Sequence, residues 1–243
     1  MGMWTRKELK ARAKAVLTNN YGKAFLISLV ILLAGGEGGG GGRSGWRESF
    51  RSYTKSENFL PFDLTFEHIA IFSSVFILII LSAAALRIFL GYPLEVGGRR
   101  FFIKSALYQD DRGCFKYAFN RENYMGIIGA MLLKGIQNFL WYLLLIIPGV
   151  VKSYAYSMVP YILAENPNIG ARQAIKKSIE MTEGHKFEMF ILDLSFLGWY
   201  ILGALLFGVG TLFVLPYDNA TKAELYLVLS GQKTCQSMEE QSY

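Results

Sequence analysis

Long apolar runs separated by short basic segments dominate the chain. The clearest run covers residues 69–86, which are uncharged and mostly apolar, and a second covers residues 124–147. A helix needs about 20 predominantly apolar residues to cross the hydrocarbon core of a bilayer. The two runs therefore predict membrane-spanning helices.

Four weaker patterns predict further spans. The apolar run Ala24–Ala34 indicates a span over residues 19–36, and residues 150–164 indicate a short span after a tight turn at Pro148-Gly149. Pro160 predicts a kink in this short span, because proline lacks a backbone N–H and interrupts a helix.

The last apolar stretch is long for one helix. No residue from Leu194 to Tyr217 is charged, and Gly208-Val209-Gly210 inside it predicts a hairpin turn. A split there places two spans at residues 187–207 and 211–230. The predicted fold class is therefore all-α, a bundle of about six spans. The alternative is one crossing by residues 187–216, with residues 217–230 on the outer surface.

Two basic stretches have the spacing of amphipathic helices. Residues 4–20 place Leu9, Ala13, Val16 and Leu17 on one face and lysines on another. Such a helix is predicted to lie in the membrane interface, with its cations toward anionic lipid. The second stretch, residues 169–186, has the same character.

An internal repeat is a hypothesis that follows from these stretches. A shift of 162 residues places Lys14 on Lys176 and Gly22 on Gly184. Residues 115–127 resemble a third, poorer copy. Because membrane proteins are often built from internal repeats, one interpretation is that an interfacial helix followed by a membrane hairpin occurs three times.

Composition supports the membrane class. Hydrophobic residues make up 52% of the chain and charged residues 18%, whereas soluble domains carry about 25% charged residues. The net charge of +6 is spread between apolar runs, so no nucleic-acid partner is predicted. Cys114 and Cys235 form no cysteine cluster, and no metal or cofactor is predicted.

The whole chain, residues 1–243, is predicted to be a single membrane domain. Residues 35–67 form a connection outside the membrane, which is rich in glycine at residues 35–45. The glycine stretch lacks the strand and the GK[ST] ending of a phosphate-binding loop, so it is predicted to be a flexible loop. Residues 231–243 form a polar tail.

The distribution of Lys and Arg predicts the orientation. Cytoplasmic loops carry an excess of these cations, which places residues 1–23, 94–123 and 165–186 in the cytoplasm. We therefore expect a protein of the cell membrane with a cytoplasmic N-terminus, and with a cytoplasmic C-terminus if there are six spans.

Polar residues inside the predicted spans are the candidate site. A charge in hydrocarbon costs several kcal/mol, so such residues should face protein or water and be paired. Asp218 and Lys222 have the i, i+4 spacing of a helical pair, and Lys134 with Asp193 is the deep pair that we expect to matter most. The candidate cluster comprises Lys134, Gln137, Asn138, Asp193, Asp218, Lys222 and Glu224.

Two interpretations of this cluster stay open. The first is structural, with ion pairs and amide hydrogen bonds that hold the helices in register. The second is a polar pathway for an ion or small solute. No catalytic motif such as HExxH or GxSxG occurs, and His68 and His185 lie at opposite ends of spanning segments. The chain is therefore not predicted to be an enzyme.

Three stretches resemble a known family. They are MWTRKELKARAK at the start, the segment from IPGVVKSYAYSMVPYILAENPNIG to FLGWYILG, and LPYDNATKAELY. They are similar to the bacterial integral membrane proteins catalogued as domain of unknown function 975. The resemblance implies a multi-pass protein of the cytoplasmic membrane and implies no activity or functional residue.

The resulting functional prediction has two candidates. The first is a non-enzymatic membrane scaffold or modulator, with membrane lipids and another membrane protein as partners. The alternative is a transporter or exporter that moves an ion or small solute along its intramembrane charges. An enzyme acting on lipid headgroups is the least supported class, because no acid–base pair or metal site can be named. The sequence predicts no oligomeric state.

Overall fold

The computed structural model describes residues 5–33, 66–205 and 209–232. The described residues are helical and contain no strand, which confirms the all-α class. The glycine-rich stretch 35–45 and most of the 35–67 connection lie outside the described residues. So do Gly208 and the tail from residue 233 onward.

Ten α-helices are defined in the described residues. A π-helical turn, Arg87–Gly91, joins α2 to α3 without a break. Such turns inside α-helices occur frequently at functional sites. The helices are α1 Arg6–Leu33, α2 Phe66–Leu86, α3 Tyr92–Ala106, α4 Cys114–Ala118, α5 Arg121–Leu144, α6 Ile146–Ala155, α7 Val159–Glu165, α8 Ala171–Thr182, α9 Lys186–Leu205 and α10 Val209–Leu229.

Three of these helical segments are long and apolar enough to cross a membrane. They are Phe72–Ala106, Arg121–Leu144 and Lys186–Leu205, and a shorter apolar stretch covers Tyr21–Ile31. Helix α10 carries three charged side chains and does not belong to this set. A membrane protein is therefore supported, but the predicted count of six spans is not confirmed.

Helix α2 lies outside the packed body of the protein. Every side chain from Phe72 to Leu86 is exposed, including Phe76 at 64% and Leu78 at 68%. A helix that is apolar on all sides is stable only in an apolar surrounding. Its exposure therefore supports the prediction of a spanning helix over residues 69–86.

Helix α1 is continuous where two segments were predicted. Thr5 and Glu8 form a capping box at its start, with each side chain bonded to the other residue's backbone N–H. Its buried residues are Leu9, Ala13, Val16, Leu17, Ala24, Ser28 and Ile31. One helix therefore covers both predicted segments, and it packs on α3 and α10.

The turn after α5 lies earlier than predicted. Leu145 is extended, with φ −159° and ψ 143°, and α6 starts at Ile146. Pro148 and Gly149 therefore belong to the first turn of α6 and do not form the turn itself. A Cβ on Gly149 would lie 2.6 Å from Tyr142 Cδ1, so glycine permits the close return of α6 against α5.

The predicted span over residues 150–164 is two short helices. Helix α6 ends at Ala155, and α7 begins at Val159. Pro160 lies in the first turn of α7, where its missing N–H costs no helical hydrogen bond. The interruption thus precedes Pro160, and neither helix alone is long enough to cross a bilayer.

The uncharged stretch before Tyr217 does divide into two helices. Helix α9 ends at Leu205 and α10 begins at Val209, as the glycine pattern predicts, and the alternative of one crossing over residues 187–216 is not seen. The two backbones meet at Gly203 and Gly210, where a Cβ on Gly210 would lie 2.6 Å from the Gly203 Cα.

The positions aligned by the proposed repeat differ in conformation. Gly22 lies inside α1, whereas Gly184 has φ +79° in the turn between α8 and α9. A left-handed φ suits glycine, which has no Cβ. The first copy of the repeat is therefore a single helix, in contrast to the helix–turn–helix of the second.

The core lies between α3 and the three helices that pack on it, α1, α7 and α10. Val96, Phe102, Leu163 and Tyr226 are at most 2% exposed there, and the rings of Tyr161 and Tyr226 are stacked with centroids 5.4 Å apart. Polar side chains of the same helices enter this apolar core and form the candidate site.

Candidate functional site

A lysine on α10 joins two carboxylates in the interior. Lys222 Nζ lies 3.3 Å from Asp193 Oδ1 of α9 and 3.4 Å from Asp218 Oδ2, one turn earlier on α10. Asp218 is fully buried, whereas the side chain of Asp193 is 26% exposed. Lys222 therefore connects a carboxylate in the core to one that is partly accessible.

Two tyrosines complete this group, which we call the lysine cluster. The Tyr154 hydroxyl of α6 donates to Asp193 Oδ2 at 3.0 Å, and the Tyr200 hydroxyl of α9 donates to Asp218 Oδ2 at 3.0 Å. Asp218 Oδ1 is buried and accepts no hydrogen bond from the described residues. The lysine cluster thus ties α6, α9 and α10 together through charge-assisted bonds, which are stronger than neutral ones.

A second group surrounds Arg99 of α3, which is 2% exposed. Its Nη1 donates to Asn219 Oδ1 at 2.7 Å and to the Tyr161 hydroxyl at 3.0 Å. Asn219 Nδ2 in turn donates to Ser28 Oγ at 3.0 Å. This arginine cluster links α3 to α1, α7 and α10.

The two clusters meet on α10, where Asp218 and Asn219 are consecutive residues, and together we call them the network. Glu224 of α10 is also fully buried, and Glu95 is 2% exposed. The buried side chains that α3 and α10 contribute therefore include three carboxyl groups and the Arg99 guanidinium group.

A cation from the N-terminal half of α1 also reaches α9. Lys10 Nζ donates to Ser195 Oγ at 2.9 Å and lies 4.3 Å from the centre of the Phe196 ring. Burial lowers the pKa of Lys10, the nearby Arg6 lowers it further, and Asp218 acts in the opposite direction. Lys10 therefore contacts protein as well as solvent, although its sequence position predicts a lipid-facing cation.

The structure brings together only part of the predicted cluster. Asp193, Asp218 and Lys222 are in contact, and the predicted i, i+4 pair of Asp218 and Lys222 is present. Lys134 of α5 is 7% exposed. The cation in contact with Asp193 is Lys222, because α10 lies against α9.

The remaining predicted residues are Glu224, Gln137 and Asn138. Glu224 is fully buried on the same helix as Lys222, two residues further on. Gln137 and Asn138 are partly buried on α5, and Gln137 Oε1 and Asn138 Oδ1 accept no hydrogen bond from the described residues.

The sequence pattern missed Arg99, Tyr154, Tyr161 and Tyr200. The positive-inside rule assigns Arg99 to the basic cytoplasmic segment 94–123, because it treats Lys and Arg as groups that lie outside the bilayer. A usable signal was present, since Glu95 lies four residues before Arg99 and apolar residues surround both. That spacing places both side chains on one face of a helix, within reach of each other.

A third polar group holds the ends of α7 and α10. Glu165 accepts hydrogen bonds from the Tyr226 hydroxyl at 2.6 Å and from Gln232 Nε2 at 2.8 Å. The Tyr117 hydroxyl donates to the backbone oxygen of Glu165 at 3.1 Å. The Arg100 guanidinium lies 3.5 Å from the Tyr117 ring centre. These contacts join α4, the last residue of α7 and the end of α10.

Comparison with known proteins gives one match. The family model described as "Protein of unknown function (DUF975)" matches residues 63–233, well over half of the chain. No curated protein and no solved structure matches the chain. The matched region contains every residue of the two clusters except Ser28.

Proposed function

The chain belongs to the DUF975 family of proteins of unknown function, and from that premise we propose that it is a non-enzymatic scaffold or modulator in the cell membrane. Its long apolar helices agree with membrane association. The proposal adds that the chain crosses the membrane several times and acts by holding other membrane components.

The observation that carries this proposal is the internal use of the buried charges. Lys222 binds two carboxylates, and Arg99 binds Asn219 and Tyr161, all within the same chain. Groups that serve a solute must face a space that the solute can enter. Paired groups of this kind instead hold helices in a defined arrangement, which supports a structural role.

Contacts between distant segments support the proposed orientation. Lys23 Nζ lies 3.3 Å from Asp111 Oδ2, so the basic segments 1–23 and 94–123 meet on the same side of the protein. Gln232 contacts Glu165, so the end of α10 lies beside the start of the 165–186 segment. Since the charge bias assigns all three segments to the cytoplasm, these contacts favour cytoplasmic N- and C-termini.

We expect a photo-crosslinking side chain at Phe76 of α2 to form a discrete protein adduct in native membranes. Phe76 is 64% exposed on a helix that lies outside the packed body, so a lateral partner would reach it. The matched position is Leu202 of α9, which is 59% exposed and should form lipid adducts. Gel analysis of the purified chain separates the two products. Lipid adducts alone at both positions would contradict the scaffold.

The alternative function is transport of an ion or small solute. The specific observation in its favour is that Asp193, which is partly exposed, lies beside Lys222 and next to the interrupted helix pair α6–α7. Interrupted helices and intramembrane charges line the sites of many transporters.

If this alternative holds, purified protein should carry protons or a small solute into vesicles, and Asp193→Asn should abolish the flux. A pH-sensitive dye trapped inside proteoliposomes measures the proton case. Asp110→Asn is the matched control, because the side chain of Asp110 is 73% exposed and lies outside the network. Wild-type vesicles that leak no faster than protein-free vesicles would remove this alternative.

A further inference from the structure

A pocket of about 290 Å³ lies at the edge of the bundle, away from both clusters. Its walls include Leu26 and Ile27 of α1, Phe101 of α3 and Phe115 of α4, and Lys23 and Lys116 also line it. Ligand sites usually measure about 300–1,000 Å³. This pocket is therefore large enough for a headgroup and the first part of a chain, but not for a whole lipid.

The pocket crosses the boundary between apolar and polar surface. Leu26 is 62% exposed and belongs to the apolar stretch Tyr21–Ile31, so this wall continues onto a surface suited to acyl chains. Lys116 and Asp111 come from the polar segment between the apolar helices Phe72–Ala106 and Arg121–Leu144. A ligand that fills the pocket must be apolar at one end and polar at the other.

The polar end of the pocket favours an anion. Lys23, Lys116 and Asp111 are among the lining residues, and Lys23 forms an ion pair with Asp111 at 3.3 Å. Lys104 and Arg100 also lie near the Cys114 thiol in the pocket wall, as do Asp110 and Asp111. Cations therefore predominate at this end even while Asp111 is bound to Lys23.

We propose that this pocket binds an anionic phospholipid, with the phosphate at Lys23 and Lys116 and the start of one acyl chain against Leu26, Ile27 and the two phenylalanine rings. Asp111 competes with the phosphate for Lys23, so it sets the affinity of the site. The apolar walls select a lipid over a free phosphate ion. The site is independent of whether the protein scaffolds or transports.

Two substitutions of the ion pair should act in opposite directions. The full chain is reconstituted in nanodiscs with equal amounts of phosphatidylglycerol and phosphatidylcholine, and the lipid retained after extraction is measured by mass spectrometry. We expect Lys23→Gln to lower the retained phosphatidylglycerol about fivefold, because one lysine near an anionic group contributes about that factor. Asp111→Asn should raise it, and Lys7→Gln, elsewhere on α1, should leave it unchanged.

A purely structural ion pair predicts a different result. If the contact of Lys23 with Asp111 only held α1 in place, both substitutions would remove it and would change lipid retention in the same direction. Parallel effects of the two variants would therefore overturn the proposal. Equal retention of the two lipids by the wild-type chain would overturn it as well.

Cys114 provides a second readout that does not depend on these variants. It lines the pocket, is 4% exposed, and becomes the only thiol after Cys235→Ser. Burial raises the pKa of the Cys114 thiol, so labelling is slow enough to follow at mildly alkaline pH. We expect phosphatidylglycerol to slow it further and phosphatidylcholine to leave it unchanged. Equal protection by inorganic phosphate alone would assign the site to a free anion and would contradict the lipid.

Discussion

Replacing Lys222 by methionine is expected to lower the free energy of unfolding by about 3–5 kcal/mol, the usual cost of removing one partner from a buried ion pair. Asp218 is fully buried, and its remaining bond is the one from the Tyr200 hydroxyl. Among the described residues, Asp193 keeps the Tyr154 hydroxyl as its hydrogen-bond donor. Two carboxylates would thus face each other across α9 and α10 with no cation between them.

The loss of stability is measured by thermal unfolding of the detergent-solubilised protein, with size-exclusion chromatography as the readout of the folded fraction. Lys176→Met is the matched control, because Lys176 pairs with Glu180 at an exposed position where both side chains are more than half exposed. Such surface pairs contribute about 0–1 kcal/mol. A Lys222→Met protein as stable as this control would show that the network does not hold the bundle together.

A charge-free network separates stability from function. The triple variant Lys222→Met, Asp193→Asn, Asp218→Asn removes the cation and both carboxylates together, so most of the lost stability should return. If the network is structural, this variant should fold and should retain the protein adduct at Phe76. If the network carries a solute, the variant should fold but lose the flux.

The second large effect is expected for Gly203→Leu, which should separate α9 from α10. A Cβ at residue 203 would lie 2.7 Å from the Gly210 carbonyl carbon and 2.7 Å from the Thr211 nitrogen. These are backbone atoms, so no rotamer change relieves the overlap. Overpacking typically lowers the free energy of unfolding by about 1–3 kcal/mol, and we expect this substitution to lie at the upper end of that range or above it.

Gly198→Leu supplies the matched control on the same helix. A Cβ there would meet no heavy atom within 4 Å, and both substitutions place the same side chain in α9. The difference between the two melting temperatures therefore reports the packing of α9 on α10. Equal melting temperatures would contradict the close approach of these helices, which small residues permit in membrane bundles.

Several features of the molecule followed from local pattern. The all-α class and the apolar helix over residues 69–86 depend on composition and periodicity, which neighbouring residues carry by themselves. The division between Leu205 and Val209 followed from length and glycine content. The pair of Asp218 with Lys222 followed from a spacing of four, because such residues are adjacent on any helix.

Other features depended on contacts between distant segments. The charge pattern assigns Arg99 to a cytoplasmic segment, whereas in the structure it is buried and bonded to Tyr161 of α7 and Asn219 of α10. The packing of α9 on α10 brings Lys222 to Asp193. Composition contains no information about which helices become neighbours, so neither contact could be predicted.

The sequence by itself therefore determined a helical membrane chain with charges in its interior, since apolar runs and helical spacing are local properties. The tertiary structure decided which charges meet. It formed α1 as one helix over two predicted segments, and it divided the predicted span 150–164 into one helix that ends at Ala155 and another that begins at Val159. A buried charge is stable only beside its partner, and that partner comes from wherever the fold places the neighbouring helix.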